Sequence, residues 1–577
     1  MRTVVRVVTA LAALGLAAGA WAAEAPEQFR LWGGRAKDHP YLADPGLDTP
    51  APITAEASDE EKARGFIFFS KPPAVLIRPT YVPTAVERAP RLAASDCPGQ
   101  YGPLTFAVLA LRGGEFTVEW TGLAGAAGRR IPPEHLDVRV VRYAKVPASQ
   151  GPEVVPILLE TMFRKAVPAG RLQPFWITYH IPEGTAPGAY AGKAAILVDG
   201  QPKLTVDLRI TVYGFTLVEP NANLYIYYNN GTEPADQVTA AGELADQRCH
   251  GMTMATLDLP VTRDGDLARV DAVPWLDLYK KAGFARPYLH TGLWNRITAE
   301  WMNVPDKSIQ MWGPWFRYYP ISQTLDRRFV ETVKMLRDEA KARGLEIMLA
   351  VADEPGSHPW TTEAAQHYND LVKAEVPGIV RELTVGGGWA MRRPEDELWK
   401  GRIHVWTTNR WLPDKLALVG AGDPKAVIQI YNLGGDGSTG GGIESVRAFY
   451  GFFLWKSKAA GAAQWTYYHV GTPPNNYTWP AEDPLEGHVP TLRWEMAREG
   501  TKDLRYLATL EKHLAGKTGP AAEAARKFLD EIAEKIVLRT GFYDPIGGGR
   551  VPVQPPGTYD QWRARLAEFI TQLSALE

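Results

Sequence analysis

The spacing of apolar residues changes near residue 219. Before that point, between about 65 and 213, short runs alternate apolar with polar residues, as from Leu204 to Val212, where every second position is Leu, Val or Ile. A period of two buries one face of a β-strand, and Gly and Pro between runs are typical of turns. The predicted strands are residues 66–69, 104–111, 116–120, 138–143, 175–180, 193–198 and 204–212. Several short strands of this kind predict a β-sandwich.

After Glu219-Pro220, apolar runs alternate with helical stretches such as 326–343 and 444–459. The predicted strands are residues 224–228, 253–257, 286–290, 346–352, 379–385, 403–407, 427–431 and 463–469. Eight strand–helix units over roughly 280 residues suit a (β/α)8 barrel. A doubly wound open sheet, which has the same alternation, is the alternative.

A chain of 577 residues is too long for one compact domain. We predict a multidomain β plus α/β fold: an N-terminal β-sandwich, a (β/α)8 TIM-type barrel and a C-terminal helical extension. The predicted segments are a signal peptide (1–22), a strap or linker (23–64), the sandwich (65–215), the barrel that carries the site (220–515) and the helical extension (516–577).

The N-terminus has the three parts of a secretory signal. Arg2 and Arg6 form a basic region, residues 7–18 are apolar, and Ala20-Trp21-Ala22 fits a small-x-small cleavage site. The apolar part is too short for a membrane span. We expect a periplasmic or secreted protein without a membrane span.

Composition narrows the classes of partner. The net charge is −2 and no basic run is present, so nucleic acid is not an expected partner. Cys97 and Cys249 fall in different predicted regions, which favours two unpaired thiols. The 11 His include no HExxH or similar cluster, so we expect neither a metal nor another cofactor. Oligomeric state is not indicated.

Two adjacent acids are the main candidates for chemistry. The fourth predicted barrel strand ends directly on Asp353 and Glu354, followed by Pro355-Gly356. Functional residues of such barrels lie at the carboxyl ends of strands, and like charges this close raise at least one pKa. A raised carboxyl pKa is what a general acid for glycosidic cleavage needs. A solvated acidic loop or a helix N-cap would show the same residues.

Other polar and aromatic residues also follow predicted strand ends. Amides and imidazoles suit sugar hydroxyls, and aromatic rings suit sugar faces. The candidate substrate-binding residues are Asn229, His290, Trp406, Asn409, Tyr431, Asn432, Trp465 and Tyr467. His290 could equally be a structural histidine. Trp465 and Tyr467 are two positions apart, so an extended strand would turn both toward the barrel mouth.

Several motifs in order resemble glycoside hydrolase family 123, the β-N-acetylgalactosaminidase family. The resemblance covers about residues 65–515. The matching segments are Trp176-Ile177-Thr178 with Ala186-Pro187-Gly188, Asp353-Glu354, Gly461 to Tyr467, Leu492-Arg493-Trp494-Glu495, and Asp503 to Leu507. The resemblance implies an exo-acting retaining enzyme in which the 2-acetamido group of the sugar attacks its own anomeric carbon. Asp353 would orient that group, and Glu354 would serve as general acid and then base.

The adjacency of the two acids agrees with this mechanism. Successive side chains at a strand end diverge, so they do not readily flank one bond at about 5–5.5 Å as a two-carboxylate retaining mechanism requires. They can reach two parts of one sugar. The expected partner is a glycan with a terminal β-linked N-acetylhexosamine. The alternatives are a retaining glycosidase of the same fold for a sugar without an acetamido group, and a non-catalytic carbohydrate-binding surface protein.

Overall fold

The computed structural model describes residues 53, 55–146, 153–161, 164–227, 237–256, 259, 261–264, 267–289, 322–353, 355, 359–385, 398–408, 426–432, 443–468, 476–480, 488–538 and 551–575. The predicted signal peptide and most of the predicted strap lie outside these ranges. So do four of the predicted site residues, Asn229, His290, Glu354 and Asn409.

Two largely antiparallel sheets form the predicted sandwich. The strands are β1 Phe66–Phe69, β2 Arg91–Asp96, β3 Tyr101–Ala110, β4 Gly114–Trp120, β5 Leu123–Gly125, β6 Arg130–Ile131, β7 Leu136–Val146, β8 Glu153–Thr161, β9 Lys165–Val167, β10 Leu172–His180, β11 Gly188–Val198 and β12 Gln201–Val212. One sheet has the order β1-β3-β10-β7-β8, and the other has β2-β12-β11-β4-β9 with β5 and β6 beside it. The Phe106 ring stacks on Phe68 at 5.5 Å and on Phe175 at 4.9 Å in the core between them.

All seven predicted sandwich strands are present, but five others were not predicted. The longest of these are β2 and β8. In β2 only Leu92 and Asp96 are buried, so the strand lacks an apolar period of two. In β8 a proline, Pro156, interrupts the apolar run, and proline in a run weakens a strand prediction.

The eight predicted barrel strands form one parallel sheet. They are β13 Asn223–Ile226, β14 Met254–Thr256, β17 Arg286–Leu289, β18 Met348–Asp353, β19 Val380–Val385, β20 Val405–Thr408, β21 Val427–Tyr431 and β22 Gly461–Gln464; the hairpins β15 Val261–Asp264 with β16 Leu267–Val270 and β23 Thr478–Pro480 with β24 His488–Pro490 stand apart. Neighbouring barrel strands are consecutive in the chain, and β13 also pairs with β22. The Thr253 amide donates to the Leu224 carbonyl (2.8 Å) where β13 and β14 meet. The barrel is therefore nearly closed, and the open-sheet alternative is wrong.

The helices are α1 Asp59–Arg64, α2 Gln237–Cys249, α3 Val273–Ala282, α4 Gln323–Ala342, α5 Pro359–Glu375, α6 Ile443–Ala448, α7 Leu454–Ser457, α8 Leu492–Leu514, α9 Pro520–Lys535 and α10 Thr558–Ser574. Helix α4 matches the predicted helical stretch 326–343, begins three residues earlier after its N-cap Ser322, and is followed by Gly344 in a left-handed conformation. The predicted single helix over 444–459 is instead interrupted by a π-helical turn, Phe449–Phe453, between α6 and α7. No helix in the described part of the chain is long and apolar enough to cross a bilayer.

Barrel strands bury both faces. Side chains such as Leu349, Leu383 and Ile430 belong to the large core shared with the helices. Their neighbours in sequence, such as Met348 and Ala350, belong to a separate cluster inside the barrel. The strand period of two therefore decides which side chains reach the interior.

Helix α8 packs between the sandwich and the barrel, although many of its side chains are charged. Asp96 of β2 accepts from the Lys502 ammonium (2.6 Å) and the Tyr506 hydroxyl (3.1 Å). Gly500 permits close approach, because a Cβ there would lie 2.5 Å from the Arg447 carbonyl oxygen of α6. The Asp96–Lys502 ion pair therefore joins the sandwich to α8, and the close contact at Gly500 joins α8 to α6.

Both cysteines are free thiols, as predicted. Cys97 is buried with its sulfur 3.4 Å from the Tyr506 hydroxyl, and burial raises its pKa to about 12. Cys249 is exposed and donates to the Tyr101 hydroxyl at 3.7 Å.

Candidate active site

Asp353 is the last residue of β18 and is half-buried, after five buried residues. It lies opposite Thr384 of β19 in the parallel ladder. An apolar strand that ends on a carboxylate places that charge at the carboxyl end of the barrel, where sites of this fold are built. Glu354, the second acid of the pair, lies outside the described residues.

Three buried tyrosines fill the barrel interior near Asp353. Tyr225 and Tyr227 come from β13 and the residue after it, and Tyr288 comes from β17. Their ring centroids are 5.4–6.1 Å apart with edge-on packing. Burial raises the pKa of all three phenols well above the usual value, and the charges of Glu382 and Asp353 raise it further. The hydroxyls therefore stay protonated and can donate hydrogen bonds.

Glu382 was not predicted as a site residue. It lies in the middle of β19 and is fully buried in the barrel interior. Its Oε2 accepts from the Tyr288 hydroxyl (2.5 Å) and its Oε1 from the Thr384 hydroxyl (3.2 Å). Thr384 Oγ1 is 3.1 Å from the Tyr227 hydroxyl. The available sequence signal was a carboxylate in the middle of a predicted strand, at a position that alternates with apolar Leu383.

Gln429 of β21 was also not predicted as a site residue, although it is likewise a polar residue inside a predicted strand. It is fully buried between Ile428 and Ile430, and its Oε1 lies 3.5 Å from Thr407 Oγ1 of β20. Its amide nitrogen has no hydrogen-bond partner among the described residues. The interior thus retains an amide donor.

Tyr431 and Trp465 lie where the sequence placed them, at the ends of β21 and β22. Both are half-buried and pack against the interior cluster. The Tyr227 ring lies 5.3 Å from the Tyr431 ring and 5.9 Å from that of Trp465. Asn432 follows with φ 53°, and its backbone N–H donates to the Ala463 carbonyl (2.9 Å). Two predicted site residues, Tyr431 and Trp465, thus lie beside Tyr227, and Asn432 follows Tyr431 at the end of β21.

Two predicted site residues lie elsewhere. Trp406 is buried in the core that the strands share with the helices, because Val405 occupies the inward position of β20. Tyr467 lies in that same outer core and donates to Asp246 Oδ2 (2.9 Å). Strand β22 ends at Gln464, so the period of two does not carry Tyr467 to the face of Trp465. The expectation that both rings line the mouth is wrong.

A separate cleft of about 620 Å³ lies between the sandwich and the barrel. Gly251, which precedes β14, and Pro220, which precedes β13, line it. It therefore opens at the amino-terminal ends of the barrel strands, opposite to Asp353. Among the described residues, no group of three His, Cys, Asp or Glu side chains could hold a metal ion.

Neither a protein-family model nor a curated protein sequence matches this chain. A family 123 glycoside hydrolase from Clostridium perfringens is similar in structure over 84% of this chain and 94% of its own, with TM-score 0.57 and 12% identity. A family 39 glycoside hydrolase from Bacteroides cellulosilyticus WH2 aligns over 71% and 81% with TM-score 0.36 and 9% identity. A Bacteroides ovatus family 5 xyloglucanase aligns over 72% and 98% with TM-score 0.29 and 9% identity. The first comparison shows that this chain and the family 123 enzyme share a fold.

Proposed function

We propose that the protein is an exported, exo-acting, retaining β-N-acetylhexosaminidase that removes terminal N-acetylgalactosamine from glycans. The observation that carries the proposal is Asp353 at the carboxyl end of a barrel strand, beside an interior lined by protonated tyrosines and bounded by Tyr431 and Trp465. Neutral phenols, an amide and aromatic faces are the groups that recognise a sugar.

The proposed reaction has two steps, and the substrate supplies the nucleophile. In the first, the acetamido carbonyl oxygen bonds to the anomeric carbon while the glycosidic C–O bond breaks and the Glu354 carboxyl gives its proton to the leaving oxygen. The Asp353 carboxylate accepts a hydrogen bond from the acetamido N–H group and stabilises the cationic oxazolinium ring. In the second, Glu354 takes a proton from water, whose oxygen bonds to the anomeric carbon and opens the ring. The tethered nucleophile has an entropic advantage over one from solution.

The aromatic residues supply the shape of the proposed sugar site. Trp465 and Tyr431 are half-buried, so part of each ring remains open at the barrel mouth. An indole or phenol face stacks on the apolar face of a sugar ring or on an acetamido methyl group. The similar C. perfringens enzyme hydrolyses glycolipid glycans, and we include glycolipid headgroups among the substrates to be tested.

The decisive experiment compares three aryl β-glycosides: the N-acetylgalactosaminide, its gluco epimer and a plain galactoside. We expect the first to be cleaved fastest, with β-configured product. A thiazoline mimic of the oxazoline should inhibit. Preference for the plain galactoside would establish the glycosidase without an acetamido requirement, and binding without cleavage would establish the carbohydrate-binding protein. Export is tested by N-terminal sequencing of the mature protein, which should begin at residue 23.

A further inference from the structure

Glu382 sets the direction of the hydrogen bonds in the barrel interior. Its carboxylate can only accept, so the Tyr288 and Thr384 hydroxyls must donate to it. Thr384 has one hydroxyl proton, and that proton is committed to Glu382. In the 3.1 Å contact between Tyr227 and Thr384, Tyr227 is therefore the donor. The chain of donors runs from Tyr227 through Thr384 to Glu382.

Tyr227, the first donor in this series of hydrogen bonds, lies beside the residues of the proposed sugar site. The Tyr227 ring contacts both Tyr431 and Trp465 edge-on or tilted. Thr384 is the ladder partner of Asp353. Protonation or removal of the Glu382 carboxylate would therefore affect the position of Tyr227, next to Tyr431 and Trp465, through the hydroxyl groups of Thr384 and Tyr227.

We propose that Glu382 is a positioning residue of the reaction: through Thr384 it fixes the orientation of Tyr227, which supports Tyr431 and Trp465 beside Asp353. The inference rests on the proposed function and extends it to a residue that does not touch the sugar. A buried carboxylate is a costly element of a core, and an apolar residue of similar volume would pack the barrel at less cost. Its position below Tyr431 and Trp465 explains why a carboxylate is retained there, whereas packing of the core does not.

The charge of Glu382 also affects the pH range of the reaction. The titratable groups that face it among the described residues are Tyr225 and Tyr227, Tyr288 of β17, and Asp353 of β18, whose charge acts on the same phenols. A negative charge under the acidic pair disfavours loss of the proton from the general acid. Its removal should lower the pKa that sets the alkaline limb of the rate profile.

The test is Glu382→Gln, assayed on the aryl N-acetylgalactosaminide from pH 4 to 9. We expect kcat to fall roughly ten- to hundredfold with KM little changed, and the alkaline limb to move to lower pH by roughly half a unit to one unit. The matched control is Glu495→Gln, a buried carboxylate of α8 that accepts from Arg498 at 2.8 Å outside the barrel interior. It should lose thermal stability without moving the pH profile.

A second pair of variants covers the case in which Glu382→Gln does not fold. Thr384→Val breaks the link between Tyr227 and Glu382, and Thr384→Ser retains the hydroxyl. We expect kcat to fall about tenfold in the first and to be restored in the second. Equal rates in the two, or a folded Glu382→Gln with wild-type kcat and pH profile, would overturn the inference and leave the glycosidase proposal standing. A wild-type protein inactive on all three glycosides would overturn both.

Discussion

Two groups of buried carboxylates in the described part of this protein have different partners. Around α8 they contact cations: Asp503 lies 2.7 Å from the Arg447 guanidinium and 2.6 Å from that of Arg563. In the barrel interior, Glu382 accepts hydrogen bonds from the Tyr288 and Thr384 hydroxyls. One region joins helices through opposite charges, whereas the described hydrogen-bond donors to Glu382 in the other region are neutral hydroxyl groups.

The difference separates stability from chemistry. Burial alone would raise the pKa of Glu499, but Arg563, Lys502 and Arg447 outweigh it and hold this pKa well below the usual range. An acid held in that way stays ionised and does not exchange protons near neutral pH. In the barrel interior the described partners of Glu382 are instead hydroxyl groups, which donate hydrogen bonds without neutralising its charge. We therefore expect substitutions in the two regions to affect different measurements.

The largest expected effect is on catalysis. Glu354→Gln and Asp353→Asn should each lower kcat/KM on the aryl N-acetylgalactosaminide by about 10²–10⁴-fold, because each removes a group that acts on the reacting sugar. Melting temperatures should stay close to wild type. Glu375→Gln, at the exposed end of α5, is the control and should keep the wild-type rate. A wild-type rate in Glu354→Gln would refute the mechanism.

The next effect is on stability. Asp503→Ala leaves the Arg447 and Arg563 guanidinium groups without this buried carboxylate, and breaking such a pair costs about 3–5 kcal/mol. Urea unfolding measures the loss. The folded fraction should keep its specific activity. Asp530→Ala, on the exposed side of α9, should unfold like wild type. A loss of activity larger than the loss of folded protein would break the distinction between the two regions.

The third test separates two aromatic neighbours. Trp465→Ala should raise KM about tenfold with a small change in stability, because the ring lies at the mouth. Tyr467→Phe removes the hydrogen bond to Asp246 and should cost about 1–2 kcal/mol of unfolding free energy with KM unchanged. Substrate titration and urea unfolding on both variants give the two quantities. The opposite assignment of effects would place Tyr467 in the site.

The smallest effect is a pH dependence of stability. Glu495 and Glu499 have lowered pKa values in the folded protein, since nearby cations outweigh the effect of burial. The unfolded chain binds protons on these acids at a higher pH, near 4. Their contribution to stability is thus complete above about pH 5 and is lost as the pH falls below 4. The melting temperature of the wild-type protein should decline as the pH falls from about 5 to below 4. The decline should be less steep in Glu499→Gln. An equal slope in that variant would contradict the assignment.

Much of the fold was available from patterns that a single strand or helix carries. The eight barrel strands, helix α4 and the helical extension that contains α9 and α10 were predicted, because apolar runs mark the strands and an amphipathic pattern marks the helices. Strands β2 and β8 were missed because one is mostly polar and the other contains Pro156. The domain boundaries stay a prediction.

The site was predicted only in part. The structure places Asp353, Tyr431 and Trp465 at strand ends as expected, because parallel strands end at one edge of a barrel; their part in a site stays a prediction. The prediction for Trp406 was wrong because the register of a strand decides which of its side chains face the barrel interior. The residues of the strand alone do not determine that register. The prediction for Tyr467 was wrong because β22 ends three residues earlier, at Gln464. The roles of Asp353 and Glu354 stay a prediction.

The amino-acid sequence by itself determined the order of elements and the place of the acidic pair at the end of β18, since hydrophobic period and strand ends are local properties of the chain. Only the tertiary structure decided which buried polar residues meet. The carboxylate of Glu382 lies beside the Tyr288 hydroxyl, 94 positions away in the chain, because closure of the barrel brings β17 and β19 around one interior. That contact arises from packing across strands, and no window of sequence contains it.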